Sequence, residues 1–325
     1  MNRLNPLRAI APWLLLVAAT FPLHAAEGDL RVLSRADTLR GPKEVTLEVR
    51  VAMPAGRTIA DALVIVNSSS GREDVVMASL AAAANGAGLA AVVLDTYTPR
   101  GIGDTVTNQE KVSYVEQFGD IFAVLQAMRA DPRFAGRKIA LSGHSRGGIL
   151  AYMAAFRDFQ PFYDAPAPLF DAYIGLSTDC LPTFKTPALH GPLHLVSGGQ
   201  DNWTKPEPCM RQVARLKAAQ QPASMDVIPG VNHSFSSNGF HVASAIKFAC
   251  PADRDYFYVQ RERTDQPMKI LDSEKEVAET PRELWRRCAG TFGMNGRGAN
   301  AGGDRDKMPQ AVHSTIQFLQ SLGWQ

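Results

Sequence analysis

Three residues, in the chain order Ser145, Asp201, His233, carry the strongest chemical signal in this 325-residue sequence. Ser145 is the centre of Gly143-His144-Ser145-Arg146-Gly147, a G-x-S-x-G pentapeptide. Lys138 to Leu141, just before it, reads as a short buried strand. Gly148 to Ala155, just after it, reads as a helix that starts at once. A serine on so sharp a strand-to-helix turn is forced into a strained backbone conformation, which lifts its hydroxyl clear of the sheet. The glycines are required because a Cβ there would collide with neighbouring backbone. A serine hydroxyl is a poor nucleophile at neutral pH, so it needs a base, and the base needs an orienting carboxylate. Leu193 to Val196 reads as a strand that runs into Ser197-Gly198-Gly199-Gln200-Asp201. Ser224 to Ile228 reads as the last strand and runs into Pro229-Gly230-Val231-Asn232-His233. Nucleophile, acid and base are thus all expected beyond strand ends, on one edge of one sheet.

The competitors fit this pattern less well. Asp179 follows the preceding strand and is the rival acid, whereas Asp226 lies within a strand. Among the histidines, His24 is in the N-terminal leader, His144 flanks the nucleophile, and His190 and His194 precede or occupy a strand. His313 falls on the closing helix. His241 is the main rival base, but it lies past the strand-end loop.

The chemistry also needs two preorganised N–H donors for a developing oxyanion. One is expected from Arg146, the residue after the nucleophile. The other is expected from the Asn67-Ser68-Ser69-Ser70-Gly71 loop, with Ser69 or Ser70 as donor. A serine there also suits the N-cap of the next helix. Tyr97, Arg100 and Trp203 are candidate pocket residues, and Arg100 could instead pair with Asp95 or Asp104.

The elements that must position these residues alternate in the α/β manner from residue 43 onward. Strands are expected at Glu44 to Met53 (an antiparallel first strand or hairpin), Ala62 to Val66, Leu89 to Leu94 and Asp171 to Leu176, besides those already named. Helices are expected at Asp74 to Ala84, Gln109 to Arg129, Pro208 to Gln220 and Met308 to Leu322. The 236–290 stretch breaks the rhythm, carries Trp285 and two cysteines, and reads as an insertion between the last strand and the last helix. The Gly/Asn-rich run from Gly290 to Gly303 reads as a loop. It has no phosphate-loop spacing.

Residues 1–26 read as a signal peptide, with Arg3 and Arg8 ahead of an apolar run from Ala9 to Phe21 and a small-residue site at His24-Ala25-Ala26. The segment is short for a membrane span and is interrupted by Pro12 and Pro22. The expectation is a periplasmic or secreted protein, a single domain over 27–325, without stable membrane insertion after cleavage. Without the leader, 32 basic residues face 32 acidic ones. Nothing in that balance favours nucleic acid as a partner. The four cysteines, Cys180, Cys209, Cys250 and Cys288, allow three pairings, of which Cys180–Cys209 with Cys250–Cys288 is favoured. Their spacing gives no metal site, and no cofactor is called for. Oligomeric state is not legible.

Taken with Asp95-Thr96-Tyr97-Thr98-Pro99-Arg100-Gly101, Gly199-Gln200-Asp201-Asn202-Trp203-Thr204 followed by Cys209, and Asn232-His233-Ser234-Phe235, the elbow resembles the dienelactone hydrolase family of α/β-hydrolases. The resemblance runs from about Ala62 to the C-terminus. It implies an α/β-hydrolase fold: a mostly parallel central sheet with helices on both faces. Two departures matter. The namesake enzymes use a cysteine nucleophile where this chain has Ser145. Their usual His-Gly at the start of the oxyanion loop is Asn67-Ser68 here. The resemblance therefore implies general ester chemistry on a small-molecule substrate. The nearest alternative is a peptidase or acyltransferase with the same triad. From another class comes a catalytically silent binding protein on the same fold.

Overall fold

The computed structural model describes residues 28–38, 41–71, 74–106, 108–159, 169–235, 239–242, 250, 253–259, 269–274, 277–280, 283–284, 287, 298–303 and 307–324. The leader and the cleavage site expected within 1–26 lie outside the described residues, as do Trp285 and Cys288.

Eight strands form the central sheet: β1 (Leu30–Thr38), β2 (Gly41–Ala52), β3 (Ala62–Val66), β4 (Ala90–Leu94), β5 (Ile139–His144), β6 (Ala172–Leu176), β8 (Leu193–Gly198) and β9 (Ala223–Ile228). β7 (Pro182–Thr183) belongs elsewhere. The spatial order is β1-β2-β4-β3-β5-β6-β8-β9. β1 and β2 make an antiparallel hairpin, β2 meets β4 antiparallel, and every later pair is parallel. The first expected strand is thus one arm of a hairpin that begins at Leu30.

Parallel strands joined by crossover helices are buried on both faces, so they read as continuous apolar runs. All five residues of β3, Ala-Leu-Val-Ile-Val, are buried. Val64 and Val66 enter one core with α2 (Tyr114–Ala130), α3 (Arg146–Ala155) and α4 (Pro206–Ala218). Leu63 and Ile65 enter the other, with α1 (Val75–Gly86) and α5 (Met308–Ser321). The period of two along a strand therefore sends alternate side chains to two helical layers.

The helix starts have local causes. At α2, Ser113 Oγ accepts the Glu116 N–H while Glu116 accepts the Ser113 N–H, a reciprocal cap. That cap explains why the helix proper begins at Tyr114, with Gln109–Lys111 ahead of it as a separate 3-10 turn. Asp74 caps α1 by accepting the Val76 N–H at 2.8 Å. α5 is tied to the sheet through His194 on β8. Its Nδ1 lies 2.8 Å from Ser224 Oγ on β9 and its Nε2 2.7 Å from Ser314 Oγ on α5. Burial pushes this imidazole down to about 4.

The region between β9 and α5 holds more strand than its composition suggests. β11 (Tyr256–Val259), β12 (Lys269–Asp272) and β13 (Val277–Glu279) form a small sheet that also takes in β7. β10 (Phe240–Val242) pairs with β14 (Ala299–Ala301). The Gly290 to Gly303 run is therefore not all loop, although 290–297 lie outside the described residues. Its end is a strand because backbone pairing partners are available on β10 and on the His233 loop.

Cys180 is bonded to Cys209, as expected. Cys250 is also in a disulfide, but its expected partner Cys288 lies outside the described residues. Among the described residues, no helix is long and apolar enough to cross a membrane.

Candidate active site

The nucleophile position is set by steric crowding at the end of β5. Ser145 has φ 54° and ψ −116°, a conformation that side chains other than glycine rarely adopt. A Cβ on Gly143 would sit 2.4 Å from the Gly147 backbone, and one on Gly147 would sit 2.4 Å from Val66 O. No side chain fits either gap, so the pentapeptide glycines allow β5, α3 and the end of β3 to meet at one point. The Ser145 N–H is spent on Leu176 O of β6 at 2.8 Å, which anchors the strained turn to the next strand.

Asp201 follows β8 and is almost fully buried. One of its oxygens accepts the N–H groups of Trp203 at 2.8 Å and Thr204 at 2.9 Å. The other lies 2.9 Å from Thr204 Oγ1 and 2.8 Å from His233 Nδ1. Burial alone would raise this carboxyl, but His233 and the two backbone donors outweigh it and hold the group below its ordinary value. It is therefore an anion at neutral pH. An acceptor at Nδ1 fixes the imidazole tautomer, with its proton on Nδ1 and the Nε2 lone pair free. That nitrogen lies 2.9 Å from Ser145 Oγ. Ser145, His233 and Asp201 thus form one continuous hydrogen-bonded relay.

The His233 loop is held from outside the central sheet. Asn232 N–H donates to Gly302 O at 2.7 Å, His233 N–H to Asn300 O at 3.2 Å, and Gly302 N–H back to His233 O at 2.6 Å. Asn300 N–H also reaches Asn202 Oδ1 on the acid loop at 2.9 Å. The 298–303 segment therefore braces base and acid together. This brace is not legible in the sequence, because a Gly/Asn-rich run carries no strand periodicity.

The flanking residues fall into place around the relay. His144 packs 5.0 Å from His233, ring centre to ring centre, and its Nδ1 meets Asp74 at 3.1 Å. Burial opposes the Asp74 charge, yet His144, Ser68 and the Val76 N–H together lower that carboxyl to about 2. Asp74 thereby links the elbow to the 67–71 loop. Within that loop, Gly71 N–H donates to Ser68 O and Ser70 N–H to Ser68 Oγ, both at 3.2 Å. These bonds engage the Ser70 donor and leave out that of Ser69. The Arg146 side chain turns away from the cleft. It bonds Gln117, Gln109 and the Val112 carbonyl, and its guanidinium lies 4.4 Å from the Tyr114 ring centre. Its backbone N–H stays at the first turn of α3, where helix donors lack intrahelical partners.

Two of the candidate pocket residues are held by partners within the fold. Arg100 grips Asp120 with two bonds of 2.7 and 3.0 Å, donates to Thr96 O, and lies 3.6 Å from Glu116. Its fork is committed to α2 rather than to Asp95, Asp104 or a substrate. Tyr97 is fully buried, with its hydroxyl 3.1 Å from Thr105 Oγ1. Trp203 remains at the site, its ring 4.8 Å from that of His233 and partly exposed. Thr204 is a further member of the site, with little signal in the sequence. Its only signal is a position three residues after an acid that must be satisfied on a tight turn.

The family model for the dienelactone hydrolases matches residues 47–257, well over half of the chain. The chain belongs to the dienelactone hydrolase family. The matched span contains the second half of the hairpin arm β2, all later strands of the central sheet, and the whole triad. Solved structures similar to it include a putative dienelactone hydrolase from Klebsiella pneumoniae, at 15% identity and a TM-score of 0.48, covering 82% of this chain and 99% of that one. A dienelactone hydrolase from Anabaena variabilis is 20% identical with a TM-score of 0.46, covering 64% and 89%. Est1E from Butyrivibrio proteoclasticus, solved with ferulic acid bound, is 17% identical with a TM-score of 0.46, covering 58% and 88%. At these values the solved structures bear no weight on substrate or mechanism, which rest on the family and on the site's own geometry. No curated protein matches the chain.

Proposed function

We propose that the protein is an exported serine hydrolase that cleaves a carboxylic ester or related acyl bond. The observation that carries the reading is the relay from Ser145 Oγ through His233 to Asp201, with distances of 2.9 and 2.8 Å.

The chemistry follows from who can move a proton. Ser145 Oγ attacks the carbonyl carbon as His233 Nε2 takes its proton, and the carbonyl π pair moves onto oxygen. Asp201 stabilises the imidazolium and keeps its orientation. The backbone N–H groups of Arg146 and Ser69 receive the oxyanion, a role the Ser70 N–H is less free to fill. The tetrahedral adduct collapses, His233 protonates the leaving alkoxide, and an acyl-enzyme on Ser145 remains. Water, deprotonated by the same imidazole, then releases the acid. No electron transfer or metal-bound group is needed in this sequence.

Export is supported by the leader's charge and apolar pattern and by the Cys180–Cys209 bond, which suits an oxidising compartment. N-terminal sequencing of protein from a periplasmic or culture fraction should begin near Glu27. The hydrolase reading is tested with short-chain 4-nitrophenyl esters and, in parallel, with peptides analysed by mass spectrometry. Ester turnover that Ser145→Ala reduces at least about a thousandfold, with peptides left intact, is the expected result. Unchanged turnover by a folded Ser145→Ala variant would refute it.

A further inference from the structure

The neighbourhood of the triad contains an acid that the mechanism does not use. β6 ends at Leu176, whose carbonyl accepts the Ser145 N–H. Asp179 lies three residues on, so at most about 10 Å of chain separates them. The intervening loop is clamped. Ser177 N–H donates to Val196 O at 2.8 Å, Thr204 Oγ1 reaches Ser177 O at 2.8 Å, and Cys180 is bonded to Cys209. Pro182 and Thr183 then pair with Tyr256 and Phe257 of the small sheet. A side chain on a segment fixed this way is held ready for a ligand.

Asp179 Oδ1 accepts the Leu181 N–H at 2.9 Å. Among the described residues, Oδ2 has neither a hydrogen-bond partner nor an ion-pair partner. The residue is mostly buried yet keeps partial contact with solvent. Its loop leaves β6 at the sheet edge from which Ser145 emerges, which puts the carboxyl within reach of a ligand bound there. Burial, reinforced by the Asp201 charge, pushes this carboxyl up to about 6. Among the described residues, the anion that prevails at neutral pH therefore stands without a cation.

Tyr114, at the start of α2, lies on the same side of the elbow, its ring against Arg146, the residue after the nucleophile. It is likewise mostly buried but partly exposed, and the Asp179 charge acts on its hydroxyl. That hydroxyl has no hydrogen-bond partner among the described residues. Arg146 lies against the Tyr114 ring, but its guanidinium is already bonded to Gln117, Gln109 and Val112. A half-desolvated carboxylate and an unbonded phenol favour one kind of occupant, a cation that donates an N–H.

We propose that Asp179 and Tyr114 form a substrate subsite for a protonated amine, so that the preferred esters carry an ammonium group in their acyl or alcohol portion. The proposal rests on the ester-hydrolase reading and names its substrate class. Two isosteric pairs test it at pH 7. The first is 2-(dimethylamino)ethyl butyrate against 3-methylbutyl butyrate, which places the cation on the alcohol. The second is methyl 4-(dimethylamino)butanoate against methyl 5-methylhexanoate, which places it on the acyl group. The wild-type protein should favour the ammonium ester of at least one pair by about tenfold in kcat/KM, the scale of one charge-assisted hydrogen bond. Asp179→Asn keeps the oxygen that accepts the Leu181 N–H. It should erase that preference and leave the neutral ester within about twofold, a range a surface change commonly spans. Tyr114→Phe should reduce the preference in part. Equal rates within both pairs, or a preference that survives Asp179→Asn, would overturn the subsite. If the neutral esters are not hydrolysed at all, the hydrolase reading fails separately. The subsite is then read by calorimetric titration of the Ser145→Ala protein with the same four esters. Tighter binding of an ammonium ester than of its isostere, lost with Asp179→Asn, supports it, and equal binding rejects it.

Discussion

At the scale of single residues, each member of the relay is placed by a different force. Ser145 is placed by crowding around Gly143 and Gly147, Asp201 by two backbone donors on its own turn, and His233 by backbone bonds from 298–303. Asp201→Asn isolates the electrostatic part. The amide nearly preserves the shape but presents the wrong partner to Nδ1–H, so the imidazole tautomer flips and Nε2 no longer accepts the serine proton. Ester turnover should fall by about ten-thousandfold with little loss of stability, as measured by steady-state kinetics beside a thermal melt. The triad was legible in the sequence because each member follows a strand that ends in a glycine-bearing turn. The commitments of Arg100 and Tyr97 were not legible, because their partners Asp120 and Thr105 are chosen by packing across α2 and the 98–105 loop.

At the scale of elements, two ties join parts that the site depends on. The first is His194, which links β8 and β9 to α5. Its folded value of about 4 lies below the ordinary 6.5, so the unfolded chain takes up a proton first as pH falls. The stabilisation is thus complete above pH 6.5 and is lost as pH drops toward 4. At about 1.4 kcal/mol per unit, the loss amounts to roughly 3 kcal/mol. His194→Gln should flatten that acid limb in urea melts run across the window, and an unchanged slope would assign the acid sensitivity elsewhere. The second tie is Cys180–Cys209, across a sequence separation of 29. Replacing both with alanine should lower stability by about 3–4 kcal/mol, mostly by freeing the unfolded chain. A denaturation midpoint unmoved by the double substitution would show that the Thr204 and Val196 bonds suffice to hold the loop.

At the scale of the whole molecule, the alternation of apolar runs was enough to predict the parallel sheet, its two helical layers and the edge from which chemistry emerges. Buried parallel strands have no polar face, so their runs stand out. The small sheet of β7, β11, β12 and β13 did not stand out. β7 has only two residues, and its pairing with Tyr256 and Phe257 spans a gap that no local pattern encodes. The brace at Ala299–Ala301 was hidden for the same reason: three residues in a glycine-rich run become a strand only when partners on β10 and beside His233 are already in place. The sequence thus displays what hydrophobic burial organises and conceals what backbone pairing at a distance adds.

The central claim is that Ser145 is an activated nucleophile. Reaction of the purified protein with a fluorophosphonate probe, followed by digestion and mass spectrometry, tests it most directly. The account predicts a single label on Ser145 that is lost in His233→Ala. A folded protein that takes no label, or takes it at Ser145 equally well without His233, would contradict the account.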